Sequence, residues 1–395
     1  MSTNLRRLSL CILCALCGAL LLSSPALAAR AITVEENVIE GDLLGLDATP
    51  SAQLRVGGQS RQVPCSDLLA LELRPGKPVP SLEAPAFILR NGDTLRGAIA
   101  GGSGSAIVVK SPLLGTSECP LQAIARIEFP VARPLQPLQA AEKLDRLLFR
   151  NGETLEGTVE SLDAAGMKFR SALLGQLEIG SDRLASVVFA AQSGPAPATP
   201  QGVVAIVHAD DGTVLSGAIQ GLKEGKLEVR ASFGASLALD LARVLRIEFR
   251  GGRLVYLSDL EPVQVKETPF FDLTWHYRRD RSVDGNSLRL GEQAYPKGLG
   301  VHSRCELAYA LDGAYRRFLA DVGIDEEVGE RGNVDVTVLV DGKPRYERKG
   351  LTGRDEPLRV AIDVAGASRL TLVVDFGQEF DICDHADWAN ARLIR

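Results

Sequence analysis

The chain has 395 residues, 45% of them apolar, and a formal net charge of −6. That is the composition of a folded protein too long for one ordinary core, and it calls for two to four domains. An acidic chain with no cluster of Lys or Arg lacks the electrostatic footprint of a nucleic-acid binder, so that class of partner is excluded.

Arg6 and Arg7 precede an uncharged apolar run from Leu8 to Leu22, and Ser23-Ser-Pro-Ala26-Leu-Ala28 offers small residues where a signal peptidase reads. The apolar run falls short of the ~20 residues a bilayer span needs. Residues 1–29 are therefore predicted to be a cleaved export leader, which makes the protein secreted or periplasmic with no integral membrane segment afterwards. Losing Arg6 and Arg7 takes the net charge from −6 to −8. Cys14 and Cys17 each follow a leucine, which argues against a lipid anchor. Cys11, Cys14 and Cys17 leave with the leader, and Cys65, Cys119, Cys305 and Cys383 remain without any Cys-x-x-Cys pair.

A sixty-residue repeat follows. Phe87-Ile-Leu-Arg-Asn91-Gly92-Asp-Thr-Leu-Arg-Gly97 is echoed by Leu147 to Gly157 and again by Asp211-Gly212-Thr-Val-Leu-Ser-Gly217. Each copy closes on a second phrase: Ile127-Glu-Phe129, Val187-Val-Phe189 and Ile247-Glu-Phe249. Between the two phrases stand Ser111-Pro-Leu-Leu-Gly115 and Ser171-Ala-Leu-Leu-Gly175, with a looser echo at Ala231-Ser-Phe-Gly234. A degenerate copy runs from Val38 to Leu73. Asn-Gly or Asp-Gly between alternating apolar runs predicts a hairpin in which both turn residues take positive φ, and the following Leu-x-Gly predicts a bulge or sharp bend. Four or five short strands per copy make one small curled sheet. The predicted units are 30–75, 83–131, 143–190 and 202–250, separated by proline-rich connectors. Their rhythm is similar to SH3-like or Sm-like barrels, while a propeller or β-solenoid is the alternative for a fixed period. The units hold no Trp or Tyr and one histidine, His208, read as a strand residue. They are expected to be spacers or protein-contact modules.

Both tryptophans and all six tyrosines lie beyond residue 255, which marks a domain boundary near Gly251-Gly252 and a final domain over 253–395. Its strands alternate, with Val334, Val336, Val338 and Val340 on one face and Asp335 and Thr337 on the other, as in an antiparallel sandwich. Two loops bracket it, Tyr295-Pro-Lys-Gly-Leu-Gly-Val-His302-Ser and Asp381-Ile-Cys-Asp384-His385-Ala-Asp387-Trp388-Ala-Asn390.

The phrases Tyr256-Leu-Ser-Asp-Leu, Lys297-Gly-Leu-Gly-Val-His302-Ser, Val322-Gly-Ile-Asp325-Glu, Val340-Asp-Gly and Asp384-His-Ala-Asp387-Trp388-Ala-Asn-Ala391 resemble the NPCBM domain, a carbohydrate-binding module associated with glycoside hydrolase family 98. The resemblance covers about 253–395. It implies a galactose-binding-like jelly roll and a glycan or polysaccharide partner, and it says nothing of residues 30–250.

Sugar binding needs an aromatic plane and converging polar groups. Tyr295, His302, Asp384, His385, Asp387 and Trp388 are the candidate carbohydrate-binding residues. Trp388 stands in an alternating run ahead of Leu393 and Ile394, so a stacking role and a core role are both open. Asp381, Asp384 and Asp387 recur every third residue and are candidate Ca²⁺ ligands, although no cofactor is required by the pattern. Cys305 and Cys383 can bridge in an oxidising compartment or stay as buried thiols. Asp325, Glu326 and Glu327 raise a glycosidase alternative, although three adjacent acids are more often a solvated turn. The leading expectation is an exported, non-catalytic carbohydrate-binding protein. The alternatives are a glycoside hydrolase and a structural assembly protein of the cell envelope.

Overall fold

The computed structural model describes residues 27–80, 83–132, 135–136, 138, 143–190, 202–270, 272–378 and 380–395. Among these the regular structure is strand with six single 3-10 turns. No described helix is long and apolar enough to cross a membrane, which says nothing of strands. The predicted leader lies outside the described residues except for its last three. Those three begin the strand Leu27–Thr33, in which Ala29 and Ala31 are buried.

Each repeat is antiparallel with a 3-10 turn before its last strand, five-stranded in units one, three and four and with the second strand split into Thr94–Arg96 and Ala98–Gly102 in unit two, the layout of an SH3-like barrel. In the first unit the strands are Leu27–Thr33, Val38–Asp47, Ser51–Val56, Gln59–Pro64 and Leu68–Glu72, with Cys65–Asp67 as the 3-10 turn. The first strand lies between the second and the fifth, and the third and fourth extend the sheet. The closing register of first strand on fifth removes the propeller and solenoid alternatives. The turn at Asn91-Gly92 differs from the expected two-residue hairpin. Among its residues only the glycine takes positive φ, at 91° for Gly92, 89° for Gly152 and 83° for Gly212. The preceding side chain instead accepts the N–H two residues on, as in Asn91 Oδ1 with Asp93 N at 3.1 Å. This is an Asx turn, an alternative that asparagine and aspartate hold over other residues. The second glycine serves close approach. A Cβ at Gly41, Gly97, Gly157 or Gly217 would collide with a carbonyl oxygen of the facing strand, and each of these strands shifts register shortly afterwards.

The units are fused. Their shared closing phrase is the seam: Arg126, Ile127 and Glu128 pair with Val188, Val187 and Ser186, joining units two and three. Arg246, Ile247 and Glu248 pair with Glu72, Leu71 and Ala70, joining units four and one. One continuous apolar core runs through all four units. His208 sits in the strand Val204–Ala209, its Nε2 3.6 Å from Glu248 Oε1.

The last part of the chain is a sandwich. One sheet holds Arg278–Arg279, Gly298–His302, His385–Ile394, Arg317–Ile324 and Leu358–Asp363. The facing sheet holds Gln264–Glu267, Cys305–Ala310, Arg369–Phe376, Asn333–Val340 and Lys343–Thr352. Val334, Val336, Val338 and Val340 all point into the core between them, as alternation requires. This sandwich rests on the first unit through Val34, Leu254, Leu319 and Ile394. Glu36 takes φ of 64° where the other units have glycine, and its carboxylate pairs with Arg359 and the fully buried Arg392.

Candidate functional site

Strand pairing assembles the site. His302 ends the strand Gly298–His302 and stands directly opposite His385 at the start of His385–Ile394. Two residues along, Gly300 and Gly323 flank Asp387 from either side. Those glycines are required by what crosses above them: a Cβ at Gly300 would collide with Arg281 and Ser282, and one at Gly323 would press on Leu290. The segment 281–290 thereby lies flat on the outer face of the sheet and delivers Ser282, Asp284 and Asn286 to the histidines.

Glu327 is the hub of the polar groups. Its Oε1 accepts from His385 Nδ1 at 2.8 Å, and its Oε2 accepts from Ser282 Oγ at 2.6 Å and Asn286 Nδ2 at 3.0 Å. Burial pushes this carboxyl up, but the three donors together outweigh that and hold it below its ordinary range. Asp284 completes a cluster in which one ligand atom each from Asp284, Glu327 and His385 lie within 4.8 Å of one another. His302 donates from Nδ1 to its neighbour's carbonyl, Ser303 O, at 2.9 Å. Burial, with the nearby His385 adding to it, pulls its pKa down, so the ring is neutral and Nε2 is left as an acceptor.

The aromatic plane comes from Trp275. Its ring stacks on His302, with centroids 5.3 Å apart and planes 14° apart, and tilts against His385 at 5.4 Å. Glu267 fixes the segment that carries it, accepting from Tyr277 N and bonding His276 Nδ1, both at 2.7 Å. Nearby in sequence, Phe270 packs edge-on against Phe376 and tilted against Phe380, and Leu273, Phe380 and Ile382 present apolar surface to solvent.

The predicted residues divide. His302 and His385 meet at this surface. Trp388 does not: at 1% exposure it lies between the two sheets beside Leu299 and Val322, so its ring is a core element and not a stacking plane. Asp384 is buried, its Oδ2 accepting from Ser303 Oγ and its Oδ1 from Asn333 N. Burial pushes it up to about 6, against those two hydrogen bonds. Asp387 is buried against Asp325. Burial first, and then that neighbouring carboxyl, drive its pKa well above its ordinary value. Tyr295 is buried with Leu288, Leu290 and Ala389 and faces a cleft of about 1310 Å³ that it shares with Lys297, Asp321 and residues of the first unit. Asp381, Asp384 and Asp387 are not among the metal-capable clusters found in the described residues. Both Asp384 oxygens accept hydrogen bonds, Asp387 is buried against Asp325, and the cluster that is found contains an imidazole, a poor partner for a cation that prefers oxygen. Cys305 and Cys383 are separate thiols. Asp325 caps its own turn through Glu327 N and also accepts from Arg289 N, so of the three adjacent acids it is Glu327 that reaches the site.

Sequence reasoning passed over Trp275, Ser282, Asp284 and Asn286. The available signal was a tryptophan in a polar stretch without strand alternation, followed by Asp280-Arg-Ser-Val-Asp284-Gly-Asn286, a turn-rich run in a domain whose strands are otherwise regular.

Residues 253–394 match the family model of the NPCBM/NEW2 domain. Over 111 residues the chain is 31% identical to a Renibacterium salmoninarum protein provisionally named an endo-alpha-N-acetylgalactosaminidase, spanning 28% of this chain and 7% of that protein's length. A CBM51 module of Clostridium perfringens GH95, solved in complex with methyl-galactose, is 30% identical, with 35% of this chain and 99% of that one covered and a TM-score of 0.33. Tandem CBM51 modules of a Streptococcus pneumoniae family 98 glycoside hydrolase are 13% identical, covering 92% of this chain and 87% of that one with a TM-score of 0.32.

Proposed function

We propose that the protein is an exported, non-catalytic glycan-binding protein, its NPCBM/NEW2 domain holding a sugar against Trp275 and the His302, His385 and Glu327 groups. The observation that carries the reading is Trp275, an aromatic plane held over two imidazoles and an ionised carboxylate. A pyranose offers an apolar C–H face to such a ring and hydroxyls to acceptors around it, which is the combination this surface supplies. The four fused units act as the rigid base on which that surface is displayed.

The glycosidase alternative requires an acid and a base or nucleophile on either side of a scissile bond. Here Asp387 lies at 1% exposure beneath the segment 281–290, and Glu327 is tied by three donors. That burial and that fixed hydrogen bonding favour binding over hydrolysis. The metal-capable cluster found among the described residues, Asp284, Glu327 and His385, includes an imidazole, which supports binding that does not need Ca²⁺. A glycan array probed with the full chain, with and without EDTA, tests both points. Selective binding that survives EDTA is expected. Release of reducing sugar from a bound glycan would overturn the non-catalytic reading, and no binding to any glycan would overturn the reading as a whole.

A further inference from the structure

The four units bury their hairpin-turn faces in different ways. Units two and four cover each other about a pseudo-twofold axis. Thr94 pairs with Val214, its counterpart two repeats on. Arg96 N donates to Thr213 Oγ1 at 3.2 Å, and the reciprocal Ser216 N donates to Asp93 Oδ2 at 2.9 Å. The turn of unit one is covered by the sandwich, through Val34 and through Glu36 with its two arginines. In unit three the corresponding residues, Asn151 to Thr154, are exposed.

A second feature sorts the same way. The Leu-Leu turn of unit two is inserted into unit four: Leu113 and Leu114 are 1% and 5% exposed, and Leu113 O accepts from Asp240 N at 3.2 Å. The matching turn of unit three carries Leu173 and Leu174 at 91% and 61% exposure. The receiving position, the residue that opens the 3-10 turn, is Pro64, Pro120, Gly180 and Asp240 in the four units. Prolines have no N–H to give. Asp240 is used by Leu113, which leaves Gly180. Beside Gly180, where unit four takes its leucine turn, unit three has a groove of about 350 Å³ with Met167 and Ile179 at its base and Ser161, Asp163, Lys168 and Glu178 around it. Unit three thus carries both an unfilled socket and an undocked turn.

We propose that two copies of this chain associate through their third units about a twofold axis, each placing Leu173 and Leu174 in the other's groove at Gly180. The contact repeats between molecules what units two and four make within one. It is the more complete version, because Pro120 denies the internal contact its second reciprocal hydrogen bond, whereas both Gly180 residues can donate. A twofold interface is self-complementary in this way by construction. At this edge Glu156 is paired with Arg146 at 3.0 Å and Glu153 accepts from Asn151 Nδ2 at 2.8 Å, so each carboxylate brought to the contact already has a partner. Dimerisation presents two sandwich domains to one polymer, which raises avidity without a new contact at either site.

Sedimentation velocity of the full chain across the micromolar range tests this. The wild type is expected to sediment as a dimer. Leu173→Asp, on a side chain that supports no core, is expected to weaken association at least about tenfold, the effect of removing one buried leucine's worth of apolar contact. Gly180→Pro removes the N–H while keeping a backbone that proline adopts, since Gly180 has φ −63° and ψ 141° and Pro120 occupies the same place at −62° and 132°. It is expected to weaken association, while Gly180→Ala, which keeps the N–H, restores most of it. Circular dichroism and melting temperature show whether each variant stays folded. A monomeric wild type, or a dimer indifferent to Leu173→Asp and Gly180→Pro in folded protein, overturns the proposal.

Discussion

Replacing Trp388 by alanine separates a core role from a binding role. The side chain is 1% exposed and lies between strands that place Leu299 and Val322 directly beside it. Truncating a buried aromatic of this kind costs about 3–5 kcal/mol from lost transfer energy and the cavity left behind. In a domain of this size roughly 1 kcal/mol lowers the melting temperature by 2–4 °C. The sandwich transition is therefore expected to fall by about 6–20 °C, with Trp388→Phe falling much less. Differential scanning calorimetry of the full chain reads the shift, and glycan binding measured well below the lowered transition is expected to survive in both variants. An unchanged melting temperature with binding abolished would refute the core assignment and return Trp388 to the sugar surface.

The remaining predictions concern charge and thiols. Asp384 is raised from its ordinary value to about 6, so its folded form prefers the proton. The stability it contributes is present at low pH and lost as pH rises through about 6, and Asp384→Asn is expected to flatten that part of a urea-midpoint profile. Wild-type and Asp384→Asn profiles of equal slope across that range contradict the reading. Glu327→Gln removes the charge held by Ser282, Asn286 and His385, and a charge-assisted hydrogen bond is worth about 1.5–3 kcal/mol. Titration calorimetry is expected to show affinity lower by roughly tenfold or more, and an unchanged Kd removes Glu327 from the site. Burial pushes the thiols of Cys65 and Cys119 up to about 12 and that of Cys305 higher still, while Cys383 is half-buried. Mass spectrometry after brief alkylation of the native chain is expected to find Cys383 modified and Cys65, Cys119 and Cys305 unmodified. A Cys305–Cys383 peptide cross-link in protein recovered from an oxidising compartment contradicts the structure.

What the sequence makes legible is local and periodic. Alternation places Val334 to Val340, and the repeated glycines mark backbone approaches at Gly97, Gly157 and Gly217 that sterics alone demand. What it hides is long-range. Asn91-Gly92 looks like a two-residue hairpin because the propensity of both residues allows it, yet the Asx bond to Asp93 selects the other turn. The phrase Ile127-Glu-Phe129 looks like the end of a bead, and only the pairing with Ser186 to Val188 shows it as a seam. At the site, His302 and His385 were visible because each opens or ends a strand next to a glycine or aspartate cluster. For Trp388 a stacking and a core role stayed open because an aromatic in a polar loop and one near the start of a central strand read alike, and it is the strand beginning at His385 that turns its ring into the core. Trp275 escaped notice because its partner, His302, is distant in sequence and joined to it only by the packing of segment 272–282 over the sheet.

The measurement that bears most directly on the account is titration of a glycan selected by the array against the wild-type chain, Trp275→Ala and Trp388→Phe. Loss of at least about tenfold in affinity for Trp275→Ala, about 1.4 kcal/mol, at an unchanged melting temperature and with Trp388→Phe near wild type, is the predicted result, since the apolar face of the sugar loses its aromatic plane. Full affinity in Trp275→Ala would contradict the placement of the sugar on the outer face of the sheet.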